Sequence, residues 1–219
     1  PRLAVIAEVK RWSPSKGALN PDLDPAEVAR TYECAGATCL SVLTDRTFFR
    51  GSPEDLQAAR AATGLPALRK DFTVSAHDVA DARLMGADAV LLIAAALDER
   101  ELVDYHALAV ELGLDVLVEI HDEAELEVAL RAGATLVGVN QRDLVTFKVD
   151  HARAERMAAA IPDDVVRVAE SGVRDGDDAR RLRDAGYDAI LVGETLVTAA
   201  DPDAALRDLI PDQPHHHQP

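Results

Sequence analysis

Polar side chains end several apolar runs in this sequence, at positions where they could carry acid–base chemistry. In LPALRKDF, residues 65–72, an apolar run breaks into Arg69, Lys70 and Asp71. The chain has four lysines against nineteen arginines, so arginine supplies most of its positive charge. A lysine can release a proton when its surroundings lower its pKa, whereas an arginine stays protonated. Lys70 is therefore a candidate titratable cation at the end of a buried strand.

Comparable polar residues follow the other apolar runs, and together they could form one acid–base site. They are Glu8 and Lys10, Thr44 and Asp45, Glu119, Asn140 and Arg142, Glu170 and Ser171, and Gly193, Glu194 and Thr195. Only the run VLLIAAAL stays apolar to its end. Each residue alone could simply be a polar group that meets solvent at a strand end. Lys10, Lys70 and Glu119 together favour a site, because a charge that points inside a fold is costly unless it is paired or used.

A recurring phrase supplies the elements that must position these residues. It consists of a helix end, a glycine and an apolar strand, and it is centred on Gly36, Gly64, Gly86, Gly113, Gly133 and Gly186. Most intervals are roughly 20 to 28 residues, the length of one helix plus one strand. A glycine just past a helix predicts a left-handed helix cap. The near-continuous apolar strands are typical of a parallel sheet that is buried on both faces.

The repeat predicts eight strands that alternate with helices, which favours an α/β fold of the (β/α)8 TIM-barrel type. The strands are predicted around residues 3–9, 39–44, 66–70, 89–94, 115–120, 136–140, 165–170 and 189–193. The N-caps of helices are predicted at Ser52, Ser75, Asp98 and Asp122. A doubly wound open sheet is the alternative, but no strand is followed by a G-x-G-x-x-G loop. We predict one catalytic domain over residues 1–211 and a disordered tail over residues 212–219.

Composition limits the classes of partner. The formal net charge of −16 argues against nucleic-acid and anionic-membrane partners, which need a basic surface. A small anionic ligand is still allowed, because local cations and backbone N–H groups can outweigh a distant acidic surface. Cys34 and Cys39 lack a second pair for a zinc site and predict reduced thiols. With no signal peptide or membrane span in the sequence, we expect no membrane partner, no metal and a cytoplasmic location.

Two kinds of segment could bind a phosphate or a flat ligand. ESGVRD and VGETLVTA follow the last two predicted strands, where such barrels often bind phosphate, although both could be ordinary glycine turns. The loop KRWSPSKG, residues 10–17, could close over the phosphate or be a flexible connection. Trp12, Phe48, Phe49 and Phe72 all follow strand ends, which indicates either a flat ligand or a hydrophobic plug under the loops.

Taken together, these stretches resemble the indole-3-glycerol phosphate synthase family. The matching stretches are IAEVKRWSPSKG, SVLTDRTFFRGS, LPALRKDF, LLIAAAL, VLVEIHDEAEL, GVNQRDLVTFKVD, VAESGV and ILVGETLV. The resemblance implies a lyase of tryptophan biosynthesis that closes the indole ring of 1-(2-carboxyphenylamino)-1-deoxyribulose 5-phosphate, with loss of carbon dioxide and water. It implies a small sugar-phosphate substrate and no cofactor, and it leaves open an association with other enzymes of the tryptophan pathway.

The resemblance also implies roles for individual residues. Lys70 is expected to protonate the carbonyl oxygen, Glu119 to exchange protons during dehydration, and Lys10 to contact the substrate carboxylate. Glu8 is expected to support these groups. The other residues expected at the site are Asn140 and Ser171 at the reacting carbons, Ser13, Gly172, Gly193 and Glu194 at the phosphate, Arg142 and Glu170 as electrostatic support, and Phe49, Phe72, Leu92 and Leu144 around the aromatic ring.

Further expectations concern charge, chain ends and competing activities. A crowded cationic mouth is expected to lower the pKa of Lys70 toward neutrality. The family's N-terminal extension is expected to be absent, because the sequence begins at PRLAVIAEVK, inside the first strand. One alternative is another phosphate-binding barrel enzyme such as phosphoribosylanthranilate isomerase, which would need a Cys or Asp pair where this chain has Glu8, Lys10 and Glu119. Another is a barrel that binds sugar phosphate without turnover.

Overall fold

The computed structural model describes residues 3–143 and 145–210, and its centre is a closed barrel of parallel strands. The strands are β1 (Ala4–Val9), β2 (Cys39–Leu43), β3 (Ala67–Lys70), β4 (Ala89–Ile93), β5 (Asp115–Ile120), β6 (Leu136–Asn140), β7 (Val166–Glu170) and β8 (Ala189–Val192). Each pairs with its neighbours in the chain, and β8 pairs with β1 to close the ring. The TIM-barrel prediction is confirmed, with every strand end within one residue of its predicted position. The predictions for Leu144 and residues 212–219 lie outside the described residues.

Alternate residues of each strand face the inside of the barrel, and this decides which polar groups reach its mouth. Leu68, Leu91, Leu117, Val168 and Leu191 pack together in the interior. Because side chains alternate along a strand, the residues two positions further on share this direction. They are Lys70, Ile93, Glu119, Glu170 and Gly193. The barrel therefore gathers most of the predicted polar strand ends at one mouth.

The same alternation separates Arg69 from Lys70. Arg69 is buried on the outer side of β3, where its guanidinium donates to Thr44 Oγ1 at 3.3 Å and to the Asp78 carbonyl oxygen at 3.0 Å. Arg69 therefore ties the barrel to the helix that follows β3, while Lys70 faces the mouth.

Helices cover the outside of the barrel. They are α1 (Pro25–Ala35), α2 (Pro53–Ala62), α3 (Ala76–Leu84), α4 (Glu99–Glu111), α5 (Glu123–Arg131), α6 (His151–Ala160), α7 (Gly176–Asp184) and α8 (Pro202–Asp208), with a single turn at Glu194–Val197. The predicted N-caps at Ser52, Ser75, Asp98 and Asp122 are confirmed, because each side chain accepts a hydrogen bond from the backbone N–H three residues on.

The glycines of the repeat end the helices in the predicted left-handed conformation at all but one position. Positive φ angles are found at Gly36, Gly86, Gly113, Gly133 and Gly186. The prediction is wrong for Gly64, because α2 ends at Ala62 and Thr63 turns the chain into an extended conformation. The Gly64 N–H instead donates to Glu33 Oε1 at 2.8 Å.

Two general features bear on partners. Within residues 3–143 and 145–210, no helix is long and apolar enough to cross a membrane. In the same residues, no three His, Cys, Asp or Glu side chains are grouped so that they could hold a metal ion.

The cysteines Cys34 and Cys39 form no disulfide bond. Burial raises the pKa of the Cys39 thiol to about 12, so this group packs as a small neutral side chain.

The capping box of α4 gives a test of how the helices are held. Asp98 accepts from the Glu101 N–H at 2.8 Å, and Glu101 accepts from the Asp98 N–H at 3.0 Å. We expect Asp98→Ala to lower the free energy of unfolding by about 1 kcal/mol in urea denaturation, because it leaves a helix N–H without its acceptor. Asp104→Ala, on the exposed face of the same helix, is the control and should change the unfolding free energy by less than about 0.5 kcal/mol. Equal losses in both variants would contradict the capping argument.

Candidate active site

A cavity of ≈ 440 Å³ opens at the carboxyl ends of the barrel strands. The predicted site residues that line it are Glu8, Lys10, Ser13, Phe49, Lys70, Asn140, Arg142, Glu170, Ser171, Gly172, Gly193 and Glu194. They come from the ends of five strands, β1, β3, β6, β7 and β8, and from the loops that follow β1 and β2. The closed ring therefore brings together polar groups that are far apart in the chain.

Glu8 is the buried anion around which the cations of this cavity are arranged. Lys10 Nζ lies 3.2 Å from Glu8 Oε1, and Lys70 Nζ lies 3.3 Å from Glu8 Oε2, which also accepts from Ser41 Oγ at 2.8 Å. Burial alone would raise the pKa of Glu8, but the two lysines and Ser41 lower it to about 2. A Cβ at position 193 would lie 2.8 Å from Glu8 Oε1, so Gly193 leaves the space that this carboxylate fills.

Lys70 faces carboxylates and stays protonated. Burial by itself lowers the pKa of Lys70, but the charges of Glu8, Glu170 and Glu119 outweigh burial and raise this pKa above its usual range. The expectation of a pKa lowered toward neutrality is therefore wrong. Its physical reason is the sign of the surrounding charge, because the groups nearest to the ammonium are carboxyl groups and not other cations.

Glu170 is a buried carboxyl group in the same mouth, and its surroundings favour the protonated form. It is 1% exposed, and no hydrogen bond of standard geometry reaches either carboxyl oxygen from the described residues. Burial raises the pKa of Glu170 well above its usual range, and the neighbouring charge of Glu119 raises it further, while Lys70 at 3.9 Å opposes this rise. Gly138 makes room for the group, because a Cβ there would overlap with Glu170 Oε1.

Glu119 is buried next to the cavity-lining residue Asn140, which orients its carboxyl group. Asn140 Nδ2 donates to Glu119 Oε1 at 3.0 Å, and Asn140 Oδ1 accepts from the backbone N–H of Arg142 at 2.9 Å. These two bonds fix the amide group of Asn140. Glu119 is 3% exposed, and Asn140 connects it to the cavity wall.

The loop after β1 forms one wall of the cavity. A short antiparallel hairpin forms here, in which Trp12–Ser13 pairs with Gly17–Ala18. The segment predicted to be either a phosphate loop or a flexible connection therefore has a defined shape. Ser13 Oγ accepts from the Lys16 N–H at 3.2 Å inside this hairpin. The guanidinium of Arg50 lies 3.7 Å above the Trp12 ring, which joins this loop to the loop after β2.

The neighbouring wall is built from the turns after β7 and β8, since β8 pairs with β1. Ser171 and Gly172 have consecutive positive φ angles of 66° and 73°, and Gln141 Nε2 holds the turn by donating to the Ser171 carbonyl oxygen at 2.9 Å. Glu194 lies 3.7 Å from Lys16 and 3.9 Å from Arg142. These contacts keep two cations at the rim of the cavity.

Three predicted residues lie away from the cavity wall, and Leu144 lies outside the described residues. Glu119 is deeper, and Phe72 is 40% exposed and packs against Phe49 with ring centroids 6.3 Å apart. The prediction that Leu92 lies at the aromatic ring is wrong, because this side chain does not reach the mouth. It is fully buried in the core between strands and helices, because its neighbour Leu91 takes the inward direction on β4.

Some residues of the site were missed in the sequence. Phe147, His151 and Arg174 also line the cavity. Arg174 stands in ESGVRD and Phe147 in GVNQRDLVTFKVD, so the stretches were identified but these side chains were not. No sequence signal distinguishes Phe147 and Arg174, because a residue in a loop has no periodicity that fixes its direction. His151 is the first residue of α6.

Comparisons with a family model and with individual proteins all point to one family. A model of the family described as indole-3-glycerol phosphate synthase matches residues 1–209. The indole-3-glycerol phosphate synthase of Chlorobium luteolum is 52% identical over 200 residues, which cover 91% of this chain and 76% of that protein. The enzyme of the same name from Mycobacterium ulcerans is 51% identical over 210 residues, covering 96% and 77%. The chain belongs to the indole-3-glycerol phosphate synthase family. The resemblance seen in the sequence is confirmed.

Solved structures support the fold alone. A thiamine phosphate pyrophosphorylase from Pyrococcus furiosus superposes with a TM-score of 0.71 at 19% identity, covering 94% of this chain and 93% of that one. A structure titled native KDPGal superposes with a TM-score of 0.66 at 17% identity, covering 94% and 92%. At such identities, the shared barrel carries no information about activity. The function of this member of the indole-3-glycerol phosphate synthase family rests on its own site residues and on its closer relatives.

The two buried acids of this family member should differ in how they affect stability with pH. Glu170 has a raised folded-state pKa, so it lowers the free energy of unfolding as pH rises above the unfolded value of 4.5. We therefore expect Glu170→Gln to be more stable than the parent at pH 7 in urea denaturation, with the difference vanishing below about pH 4.5.

Glu8→Gln is the matched comparison and should have the opposite sign. The folded-state pKa of Glu8 is about 2, against 4.5 when unfolded, so its stabilising effect is present above pH 4.5 and is lost as pH falls toward 2. Glu8→Gln should cost about 3 kcal/mol at pH 7 and progressively less on acidification. The same sign of change at pH 7 in both variants would contradict the assigned charge states.

Proposed function

We propose that this chain closes the indole ring of 1-(2-carboxyphenylamino)-1-deoxyribulose 5-phosphate, with loss of carbon dioxide and water, and is thus a carboxy-lyase. The observation that carries the proposal is the pairing of Lys10 and Lys70 on the single buried carboxylate of Glu8 at the wall of the cavity. The names of its relatives support the same reaction. Ring closure needs an acid at a carbonyl oxygen and a cation at a carboxylate, and this pair can provide both.

Lys70 serves as the acid at the carbonyl oxygen. When the aromatic carbon attacks the carbonyl, the oxygen becomes an alkoxide, which is a far stronger base than the amine of a lysine. An ammonium group can therefore protonate it even though neighbouring carboxyl groups raise the pKa of Lys70. The raised pKa keeps the proton on Lys70 until this charge develops, and the ammonium also stabilises the transition state electrostatically.

Lys10 and Glu119 take the two later steps. Lys10 contacts the substrate carboxylate until carbon dioxide leaves, and the ion pair with Glu8 holds its ammonium in place. Glu119 then exchanges protons during dehydration, in the orientation that Asn140 fixes. Ser171 completes the polar surroundings of the reacting carbons at the cavity wall.

The remaining lining residues bind the two ends of the substrate. Ser13, Gly172, Gly193 and Glu194 form the phosphate cradle, largely through backbone N–H groups. Arg142 and Lys16 add positive charge at the rim beside Glu194, and Glu170 gives electrostatic support 3.9 Å from Lys70. Phe49 packs against the anthranilate ring, and Phe72 supports Phe49 from behind.

The proposal also covers cofactors, cellular location and partners. The protein's own side chains supply every acid and base, so the proposal includes no cofactor. The free thiols of Cys34 and Cys39 support a reducing compartment, and we place the protein in the cytoplasm. Association with other enzymes of the tryptophan pathway stays a prediction.

Direct assay of ring closure tests the proposed function. The purified chain is mixed with the carboxyphenylamino-deoxyribulose phosphate, and indole fluorescence is followed with time. Product formation that saturates with substrate supports the proposal. Tight binding of the substrate without product would contradict it and would favour a barrel that binds sugar phosphate without turnover.

Replacing Lys70 by arginine tests the acid role. Arginine keeps the positive charge but cannot readily release a proton. We expect Lys70→Arg to fold like the parent, as judged by circular dichroism, and to lose about 100-fold or more in kcat. Lys148→Arg, the same exchange at an exposed position, is the control and should keep full turnover. Near-normal kcat in Lys70→Arg would refute the acid role.

Replacing Gly172 by alanine tests the phosphate cradle. Gly172 has a φ of 73°, and a Cβ there would lie 2.5 Å from Val149 Cγ1, so the turn must move. We expect KM to rise by about tenfold or more, because the backbone N–H groups of the turn no longer fit the phosphate. Gly86→Ala adds the same left-handed strain at a φ of 89° with no atom within 4 Å, and it should leave KM unchanged. An equal KM in both variants would count against the cradle.

A further inference from the structure

The proposed reaction has a proton balance that the cavity alone does not satisfy. The substrate carboxylate leaves as neutral carbon dioxide and a hydroxyl group leaves as water, so each turnover takes up one proton from solvent. Glu119, which exchanges protons in the dehydration, is 3% exposed. Its hydrogen bond comes from the amide of Asn140, which neither gives nor takes a proton at neutral pH. A bound substrate would also cover Glu119 from the side of the cavity.

His121 lies next to Glu119, and one nitrogen of its ring is close to the Glu119 carboxyl group. Its Nε2 is 3.7 Å from Glu119 Oε1. This nitrogen is buried, and it has no hydrogen-bond partner among the described residues. The separation is just beyond a hydrogen bond, and such contacts at active sites often tighten only when substrate is bound.

Glu125 fixes the other edge of the imidazole. Its Oε2 lies 3.1 Å from His121 Nδ1 and accepts from the His121 backbone N–H at 2.6 Å. Asp122, the N-cap of α5, in turn accepts from the Glu125 N–H at 2.8 Å. The ring is thus oriented so that Nε2 points to Glu119, and the orientation is built into the first turn of the helix.

The three side chains also form a path from the interior to solvent. The exposed fraction of the side chain rises from 4% at Glu119 to 12% at His121 and 22% at Glu125. We propose that Glu125, His121 and Glu119 form a proton relay that returns a proton from solvent to the dehydration partner in each turnover. The inference rests on the proposed function, and His121 is a positioning and relay residue that does not touch the substrate.

The relay is balanced at every bond. A hydronium ion from solvent protonates the Glu125 carboxylate and becomes water, and Glu125 passes that proton to Nδ1 of a neutral His121 that carries its own proton on Nε2. The N–H bond at Nε2 then breaks as the proton moves to Glu119 Oε1. The neutral imidazole is left with its proton on Nδ1, and tautomer exchange restores the Nε2–H form before the next turnover. Burial lowers the pKa of His121, but the contacts with Glu125 and Glu119 outweigh burial and the opposing charge of Arg153 and raise it. Imidazole suits a group that must both gain and lose a proton, because histidine is the side chain whose ordinary pKa lies closest to neutral pH.

Two variants and one control test the relay. His121→Gln removes the titrating ring. Glu125→Gln keeps an oxygen that can accept from the His121 N–H but removes the acid at the solvent end. Glu123→Gln changes an exposed carboxylate of the same helix turn and is the control. For each protein, kcat and KM are measured at fixed pH and ionic strength with increasing concentrations of imidazole buffer, and circular dichroism checks the fold.

We expect kcat to fall at least about tenfold in His121→Gln and in Glu125→Gln with KM unchanged, because proton return becomes limiting. In both variants kcat should rise with imidazole concentration, whereas the parent and Glu123→Gln should not respond. A kcat within about twofold of the parent in both variants would overturn the relay. So would a low kcat that does not respond to buffer, which is the result of a purely structural role.

The parent enzyme separates the two proposals. If it forms no product, the proposed function fails, and the relay fails with it. If it forms product and the variants behave like Glu123→Gln, only the relay fails. Should His121→Gln not fold, Glu125→Gln carries the test alone, because its substitution is closer in shape and lies partly in solvent.

Discussion

A buried carboxylate needs partners, and the requirement of Glu8 organises the mouth of this barrel. Its charge is taken out of water, which is tolerated only because Lys10, Lys70 and Ser41 surround it. The backbone beneath it is also held, since the Tyr32 hydroxyl donates to the Glu8 carbonyl oxygen at 3.1 Å. The helix layer, the strand and the reactive ammonium groups are therefore coupled through one residue.

Two buried carboxyl groups of the same residue type have pKa values shifted in opposite directions because their surroundings differ. Two ammonium groups lower the pKa of Glu8, whereas burial and the neighbouring charge of Glu119 raise the pKa of Glu170. One residue type thus supplies a stronger and a weaker acid within one cavity. The overall charge of −16 has no bearing on this, because burial and the nearest charges decide each state.

The sequence predicts the frame of the site well and its electrostatics poorly, for physical reasons. Strands and N-caps depend on local patterns, so residues such as Asp98 and Asp122 are identified from a few neighbours. The direction of a side chain depends on the register of its strand, because a shift of one residue moves the side chain from the barrel interior to the layer between strands and helices. Leu92 was misplaced for this reason. The pKa of Lys70 depends on Glu119 and Glu170, which are distant in the chain, and no local pattern contains their separation.

The close approach of Gly193 to Glu8 also limits how such a site can change through evolution. Every residue other than glycine brings a Cβ to position 193, and that atom would stand 2.8 Å from Glu8 Oε1. The order in which positions 193 and 8 are substituted therefore matters. A lineage that replaced the glycine first would pass through an intermediate whose carboxylate has lost its place, whereas shortening the acid first opens room for a larger neighbour. New chemistry at this mouth is thus more accessible by a path that begins on β1 than by one that begins after β8.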